Sequence, residues 1–336
     1  MSALGVFASS LADERLDPAD AVGLAAGWGF GHCLFGSVFE LSARLDPGEL
    51  ANARAAAADH GVELVVGSVN VHPFRLGQDR RLLDAGDGDA LAGFERMLAA
   101  SVEASAGHDL LAIVGRIEDR YDPLTPWAEQ LEASARLLRR LVPLLLAHDL
   151  RLAVKTHEEI TAAEVARLVE AVGSDAVTVC LDPVNLLVNL DDPVASARQL
   201  GAAVRQVILD DAVFVPDGER GARLLCPVGE GVVDWVALAG LVWPEPVTWW
   251  VELHRGQFDV APFDPDWLTA HPDLTPEALA AGVRRLVRGA ALPTDRRRAL
   301  RAAQARPSTR LDAAVRAAER LLDPLKKRED PRHDRR

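Results

Sequence analysis

At its middle the chain reads Arg151-Leu-Ala-Val-Lys155-Thr-His157-Glu-Glu159, a short apolar run that ends abruptly in charge. Three later stretches have the same form: Val177-Thr-Val-Cys-Leu-Asp182-Pro-Val-Asn185, Arg205-Gln-Val-Ile208-Leu-Asp210-Asp211 and Trp249-Trp-Val-Glu252-Leu-His254. Each run has the length and the β-branched content of a buried parallel strand. Barrel enzymes assemble their active sites from charged side chains at the carboxyl ends of successive parallel strands. The four stretches therefore predict a parallel α/β protein and indicate where its site lies.

Strand-like and helix-like segments alternate along the whole chain, which favours a closed parallel barrel or a doubly wound sheet. No Gly-x-Gly-x-x-Gly follows the first strand, so a dinucleotide site, and with it a nucleotide cofactor, is not expected. We therefore predict an α/β protein with one (β/α)8 TIM barrel over residues 1–290. Its strands are expected at 4–8, 32–35, 62–71 and 110–114, and near residues 152, 177, 204 and 247.

The last part of the chain, residues 291–336, differs in composition and is predicted to be a charged C-terminal helix and tail. Its apolar residues recur at helical spacing and would form one stripe: Leu311, Val315, Ala318, Leu321 and Leu322. The simplest interpretation is a helix packed on the outside of the barrel, followed by a frayed tail. A partner-binding role is the alternative, although charged runs are usually solvated.

Bulk composition limits the classes of function. Of 336 residues, 49% are hydrophobic and 26% charged, which is typical of a globular protein. The formal charge of −13 argues against nucleic-acid binding, because phosphate recognition needs Lys and Arg. No run is long enough to cross a membrane, and the N-terminus lacks the features of a secretory signal. Three scattered cysteines, Cys33, Cys180 and Cys226, predict neither disulfides nor a zinc cluster, so a cytoplasmic protein is expected.

The order of the strand ends resembles the sugar phosphate isomerase/epimerase group, the xylose isomerase-like TIM barrels. Further matching segments are Thr161-Ala-Ala-Glu and Pro227-Val-Gly-Glu-Gly-Val-Val-Asp-Trp235. The resemblance implies a divalent metal held by Glu, Asp, His and Glu from strands five to eight, which polarises a sugar carbonyl. Asp182 and Glu252 match two of these ligand positions. Lys155 and Ile208 stand where the other two should be, and neither offers an acceptor to a metal.

Three interpretations of Lys155 remain open. Its ammonium could occupy the position of the missing metal, balanced by Asp182 and Glu252, since a buried pair of carboxylates needs a cation. Alternatively, Lys155 has a lowered pKa and forms a Schiff base with a keto-sugar or keto-acid. In the third interpretation the site is degenerate and Lys155 only closes an inherited cavity.

A displaced metal site is a further hypothesis. Residues two apart on a strand share a direction, so Lys155 with His157, and Glu252 with His254, should point the same way. The metal ligands could then lie one inward-pointing side chain further along the strands than in the family pattern. Such a site would offer enough ligands for Mn²⁺, Mg²⁺ or Zn²⁺: His157, Asp182, Asp210, Glu252 and His254.

Other polar residues are expected around the mouth of the barrel. We predict that Glu158 acts with Lys155 and His157 as a catalytic acid or base, although a glutamate at a helix start is commonly stabilised by the helix dipole alone. The predicted contacts to substrate are His72, Arg116, Asn185, Asp211 and His254. Each of three residues has an alternative role. His72 could be a loop histidine that is hydrogen-bonded to the backbone, Arg116 could form a surface salt bridge, and Asp211 could order the following loop.

Together these features predict a sugar isomerase- or epimerase-like enzyme that acts next to a carbonyl of a small carbohydrate or sugar acid, with an atypical metal site. The first alternative is a lyase or decarboxylase that uses Lys155 on a keto-sugar acid. The second is a catalytically silent barrel that serves as a binding module. A homo-oligomer is compatible with the sequence, which does not identify the substrate.

Overall fold

A parallel β-sheet forms the centre of the fold, which we describe from a computed structural model covering residues 4–67, 69–105, 109–242 and 247–329. Nine strands of this part pair in the order β3-β2-β1-β11-β8-β7-β6-β5-β4. They are β1 Leu4–Phe7, β2 His32–Phe35, β3 Glu63–Val66, β4 Val69–Asn70, β5 Leu110–Ile113, β6 Leu152–Lys155, β7 Val177–Leu181, β8 Val204–Leu209 and β11 Thr248–Val251.

The two ends of this sheet belong to one interrupted strand. β3 pairs with β2 and β4 pairs with β5, both in parallel, while only two residues separate β3 from β4 along the chain. The sheet therefore curls until its ends meet, which makes eight barrel strands out of nine segments. The predicted TIM barrel is confirmed, and the strand predicted over residues 62–71 is present as these two segments.

Helices alternate with the strands and cover the outer face of the barrel. Many start at an Asp or Thr cap followed by proline, and Thr161 with Glu164 forms a capping box at the start of α7. The helices are α1 Pro18–Gly27, α2 Pro47–Asp59, α3 Pro73–Leu76, α4 Arg80–Ala85, α5 Ala90–Ala104, α6 Trp127–Ala147, α7 Ala162–Val172, α8 Pro183–Leu186, α9 Pro193–Leu200, α10 Trp235–Val242, α11 Pro265–Thr269, α12 Pro276–Ala290, α13 Thr294–Ala303 and α14 Ser308–Glu329.

An apolar layer fills the inside of the barrel. Each of the eight barrel strands contributes one side chain: Phe7, Leu34, Val65, Leu111, Ala153, Cys180, Ile208 and Trp250. Gly5 makes room for Trp250, because a Cβ at that position would lie 2.1 Å from the indole ring. Side chains two residues further along a strand point the same way. The apolar layer is thus the floor of a site whose walls start at Lys155, Asp182, Asp210 and Glu252.

A small antiparallel sheet, which the sequence analysis did not predict, lies after the seventh barrel strand. β9 (Asp211–Asp217) and β10 (Arg220–Cys226) form a hairpin, and β12 (Phe258–Val260) pairs with β10. Residues of this sheet pack against α12 and α13. The hairpin follows directly from the charged end of β8, so it places its own side chains beside the polar end of the barrel.

The C-terminal helix α14 packs against α10 and β11. The stripe predicted from its spacing is largely buried, with Leu311, Val315, Ala318 and Leu322 in the main core. The tail beyond residue 329 lies outside the described residues. The division at residue 290 remains a prediction. In the part of the chain that the structure describes, no helix combines the length and apolar character needed to cross a bilayer.

Candidate active site

A buried lysine lies at the centre of the polar end of the barrel. Lys155, the last residue of β6, places Nζ 2.6 Å from Glu252 Oε2 and 2.9 Å from Asp182 Oδ2. Asp182 follows β7 directly and Glu252 follows β11, so three strand ends meet at this nitrogen. Only 2% of Lys155 is exposed, and Asp182 is fully buried. The ammonium therefore bridges two carboxylates in an enclosed site.

The charge state of this cluster follows from its contacts. Burial alone would lower the pKa of Lys155, but the carboxylates of Glu252 and Asp182 outweigh it and raise that pKa above its ordinary value. Burial raises the pKa of Asp182, yet His254 and Lys155 pull it well below its usual range. At neutral pH Lys155 is therefore an ammonium and Asp182 a carboxylate.

His254 extends the network on the other side of Asp182. Its Nε2 donates to Asp182 Oδ2 at 2.8 Å, and its Nδ1 lies 3.1 Å from Asp210 Oδ2. Burial lowers the pKa of His254, but Asp182 and Glu252 raise it overall to about 9. With a carboxylate at each ring nitrogen, the side chain is an imidazolium at neutral pH.

Asp210 is held by partners on both oxygens. Oδ2 accepts from the His254 backbone N–H at 2.8 Å, and Oδ1 accepts from Arg310 Nη1 at 2.7 Å. Arg310 also donates through Nη2 to the carbonyl of His254. The inner site consequently contains three cations and three carboxylates: Lys155, His254 and Arg310 against Asp182, Glu252 and Asp210.

A second charged cluster lies just beyond β6. His157 Nδ1 contacts Glu159, and its Nε2 lies 2.9 Å from Glu158 Oε2. Burial lowers the pKa of His157, whereas Glu159 and Glu158 raise it to about 10. The His157 side chain is more exposed than that of His254, at 21% against 11%. It is an imidazolium held by the two glutamates.

Asn185, on α8, links the central cluster to the hairpin. Its Nδ2 donates to Asp182 Oδ2 at 2.9 Å, while its Oδ1 accepts from Arg223 Nη1 at 2.8 Å. Arg223 is fully buried and lies over the ring of Phe258. The hairpin thus contributes a cation that orients an amide against Asp182.

Two predicted substrate contacts have surroundings of their own, and their contact to substrate stays a prediction. His72 is buried, with Nε2 2.6 Å from Gln130 Oε1, which matches the alternative of a hydrogen-bonded loop histidine. Arg116 is exposed and, with Asn70 and Arg75, lines a cavity of about 430 Å³ at the carboxyl ends of β4 and β5. Of the predicted substrate contacts, Asn185 and His254 are the two that the structure brings beside Lys155.

Asp211 orders the loop after the hairpin. Its carboxylate accepts from the backbone N–H groups of Gly229 at 2.9 Å and Gly231 at 3.1 Å, and from Trp235 Nε1 at 3.2 Å. Gly231 allows this close approach, because a Cβ there would lie 2.0 Å from Asp211 Oδ1. Burial raises the pKa of Asp211 to about 6, although these hydrogen bonds oppose the rise. These contacts support the alternative role of loop ordering; a substrate contact at Asp211 stays a prediction.

The donor set around Lys155 does not fit a divalent metal. Asp182, Glu252 and His254 offer ligand atoms within 4.8 Å of one another, as does the group His157, Glu158 and Glu159. In the first group, however, the Lys155 ammonium already lies between the carboxylates, and every carboxylate charge is matched by a cation. An added divalent charge there would be uncompensated. Ile208, in the apolar floor, supplies no ligand.

Stability should depend on pH through His254. Its folded pKa of about 9 exceeds the ordinary histidine value of 6.5, so its contribution is fully present below pH 6.5 and is lost as pH rises through 9. We expect about 3 kcal/mol of the free energy of unfolding to disappear over that window. Urea denaturation from pH 6 to 10 measures it: His254→Gln should show a pH dependence smaller by about that amount, with the contribution of His157 remaining, and the exposed His60→Gln should match wild type. His157 titrates nearby, so an equal pH profile in wild type and His254→Gln would contradict this prediction.

Two buried arginines were missed by the sequence analysis. Arg223 stands in the otherwise apolar run Gly221-Ala-Arg-Leu-Leu-Cys226, and Arg310 precedes the apolar stripe of α14 at the spacing of its buried face. A lone arginine on an apolar face is the available signal, because such a side chain is rarely buried without a partner. Its partner cannot be identified from either segment alone.

The geometry defines a TIM barrel with a charged site at the carboxyl ends of its strands. The family model described as the xylose isomerase-like TIM barrel matches residues 23–252, well over half of the chain. The protein therefore belongs to the xylose isomerase-like TIM barrel family, and the resemblance stated from the sequence is confirmed.

Individual relatives are distant. The 3-oxo-isoapionate decarboxylase of Pectobacterium atrosepticum is 25% identical over 202 residues, which is 60% of this chain and 64% of that protein. The match thus spans slightly less than two thirds of the relative. A D-psicose 3-epimerase solved in the presence of D-fructose matches with a TM-score of 0.59 and 18% identity over 95% of this chain and 99% of its own. The IOLI protein, solved with a zinc atom, matches with a TM-score of 0.56 and 15% identity over 84% and 95%. The two solved structures share the fold with this chain.

Proposed function

We propose that the protein is a decarboxylase of small 3-oxo sugar acids, in which the Lys155 ammonium takes the place of a metal. The observation that carries this proposal is the position of Nζ, 2.6 Å and 2.9 Å from the carboxylates of Glu252 and Asp182. The name of the relative from Pectobacterium atrosepticum, a decarboxylase of a 3-oxo acid, supports the same reaction class.

The balance of acids and bases favours decarboxylation over proton abstraction. Isomerisation and epimerisation next to a carbonyl start with the removal of a carbon-bound proton, which needs a free base. Within the described residues, the carboxylates of the inner site are all engaged by cations: Asp182, Glu252 and Asp210. Loss of CO2 from a 3-oxo acid releases an electron pair instead and needs a cation to receive it. The isomerase or epimerase expected from the sequence stays a prediction.

The proposed reaction has two steps. The bond between the carboxylate carbon and the adjacent carbon breaks, CO2 leaves, and the electron pair forms an enolate whose negative charge rests on the former ketone oxygen. A lysine ammonium has three N–H donors, and Glu252 and Asp182 engage two. His254 Nε2 lies 3.3 Å from Nζ but carries its own proton toward Asp182 and does not accept, so we assign the third donor to that oxygen. A proton then adds to the carbon, and we assign its source to the His157 imidazolium, two residues beyond Lys155.

The lysine acts here without a covalent bond to substrate. A Schiff base requires an unprotonated amine, whereas Glu252 and Asp182 hold the pKa of Lys155 above its ordinary value despite the opposing effect of burial. The covalent mechanism considered from the sequence is therefore not favoured by this geometry.

The proposal is tested by turnover of a defined substrate panel. Four- and five-carbon sugar acids oxidised at C3 are compared with ketopentoses and ketohexoses, with spontaneous CO2 loss subtracted. We expect CO2 release from the 3-oxo acids, with one solvent deuterium incorporated at the carbon that carried the carboxylate. The rate should not change after treatment with EDTA or addition of Mn²⁺.

Two controls accompany this assay. Asp182→Asn should abolish turnover, because it removes a carboxylate that holds Lys155 in place. Borohydride treatment during turnover should leave no adduct on Lys155. Isomerisation or epimerisation of the keto-sugars without CO2 release would overturn the proposal, and so would a trapped lysine adduct.

A further inference from the structure

The C-terminal helix contributes a side chain to the site from outside the part matched by the family model. Arg310, on α14, is 3% exposed and reaches Asp210, which is 100 residues earlier in the chain. The family match ends at residue 252. Arg310 therefore lies outside the range matched by the family model, whereas its partner Asp210 lies inside it.

A continuous chain of contacts runs from Arg310 to the central lysine. Arg310 Nη1 donates to Asp210 Oδ1 at 2.7 Å, and Asp210 Oδ2 lies 3.1 Å from His254 Nδ1. His254 Nε2 in turn donates to Asp182 Oδ2, the oxygen that also lies 2.9 Å from Lys155 Nζ. Each link is buried or nearly so, which strengthens its hydrogen bonds relative to water.

Arg310 restrains this chain of contacts at two points. Its Nη1 binds the side chain of Asp210, while its Nη2 donates to the backbone carbonyl of His254. The planar guanidinium fixes both acceptors relative to each other, which a single ammonium does not do. Without it, Asp210 Oδ1 would be a buried carboxylate oxygen with no cation, and Asp210 could rotate away from the imidazole.

We propose that Arg310 is a positioning residue: through Asp210 it holds the His254 ring, and thereby Asp182 and Lys155, in the arrangement that receives the substrate oxygen. The C-terminal helix is then a part of the active site rather than an outer layer only. The kinetic part of this inference rests on the proposed decarboxylase function, whereas the orientation of His254 does not.

Three substitutions in the full-length protein separate positioning from packing. Arg310→Met removes the guanidinium and keeps an apolar stem. Arg310→Lys keeps the charge but cannot bind Asp210 and the His254 carbonyl together. Leu311→Ala is the matched control, because Leu311 is buried on the same helix and its truncation destabilises the core without touching the network.

Kinetics and NMR provide two independent readouts. We expect kcat on a C3-oxidised sugar acid to fall about 10–100-fold in Arg310→Met with little change in KM, and less in Arg310→Lys. Leu311→Ala should lower the unfolding midpoint while kcat stays within about twofold. The NMR spectrum of the side chains of the nine histidines contains the His254 Nδ1–H signal, which is assigned by its absence in His254→Gln. This signal should shift or vanish in Arg310→Met and persist in Leu311→Ala.

The outcomes are distinguishable. An unchanged His254 Nδ1–H signal in Arg310→Met would overturn the positioning role, and so would an equal loss of that signal or of kcat in Leu311→Ala. If Arg310→Met does not fold, Arg310→Lys carries the same comparison. If the wild-type protein does not decarboxylate 3-oxo acids, the proposed function fails, while the NMR comparison still decides the role of Arg310.

Discussion

Lys155→Met is expected to lower turnover strongly and to destabilise the fold. The substitution leaves Asp182 and Glu252 close together, without the cation between them, in a site where Asp182 is fully buried. Removing one partner of a buried ion pair costs about 3–5 kcal/mol. Loss of the donor to the developing oxyanion should lower kcat by about 10²–10³-fold. Urea denaturation at pH 7 and the CO2 assay measure the two effects.

A second substitution provides the control for charge. In the Lys155→Met background, Glu252→Gln removes one of the two carboxylates that have lost the ammonium, so part of the lost stability should return while kcat stays low. Acidification should also stabilise Lys155→Met relative to wild type, because protonation relieves the repulsion between the two carboxyl groups. A Lys155→Met protein within about 1 kcal/mol of wild type at pH 7 would contradict the bridging role of the ammonium.

Lys155→Glu is expected to create a divalent-metal site at the position of the ammonium. The new carboxylate would join Asp182, Glu252 and His254, a set of oxygen and nitrogen donors that suits Mn²⁺ or Zn²⁺. Without metal the variant should be strongly destabilised by three neighbouring carboxylates. With Mn²⁺ at a hundred times its dissociation constant, it should regain about 2.7 kcal/mol.

Metal content after gel filtration, together with calorimetric titration of Mn²⁺, measures this gain. Lys155→Gln is the matched control, since it removes the ammonium without adding a carboxylate and should bind Mn²⁺ weakly. The decisive contrary result is tight, stoichiometric metal in the wild-type protein. That result would mean that Lys155 does not take the place of the ion.

Local pattern accounts for most of the barrel. The run that ends at Lys155 is β6, and the run before Asp182 is β7, because a buried parallel strand must be apolar on both faces. The antiparallel hairpin was missed since its strands, β9 and β10, carry no clear alternation. The interruption between β3 and β4 was missed as well, because Val69 and Val71 resume the apolar pattern directly after Gly67 and Ser68.

The candidate site was predictable in its location but not in its contacts. Strand alternation indicates that the residues after β6, β7 and β11 converge at one end of the barrel. It does not reveal that Lys155 Nζ lies between Asp182 and Glu252, because that arrangement depends on the curvature of the whole sheet. His72 shows the limit of this prediction. Its position at a strand end indicates a side chain at the mouth of the barrel, yet its ring is hydrogen-bonded to Gln130 on α6.

The amino-acid sequence by itself determined the barrel, and it predicted the end at which the site lies and the lack of metal acceptors at Lys155 and Ile208, because strand periodicity and residue chemistry are local properties. Tertiary structure alone decided which buried polar and charged groups meet. Arg223 reaches Asn185 from a hairpin 38 residues away, and Arg310 reaches Asp210 across 100 residues from the C-terminal helix. Such pairs form only when packing brings distant segments together and excludes the water that would otherwise solvate each charge.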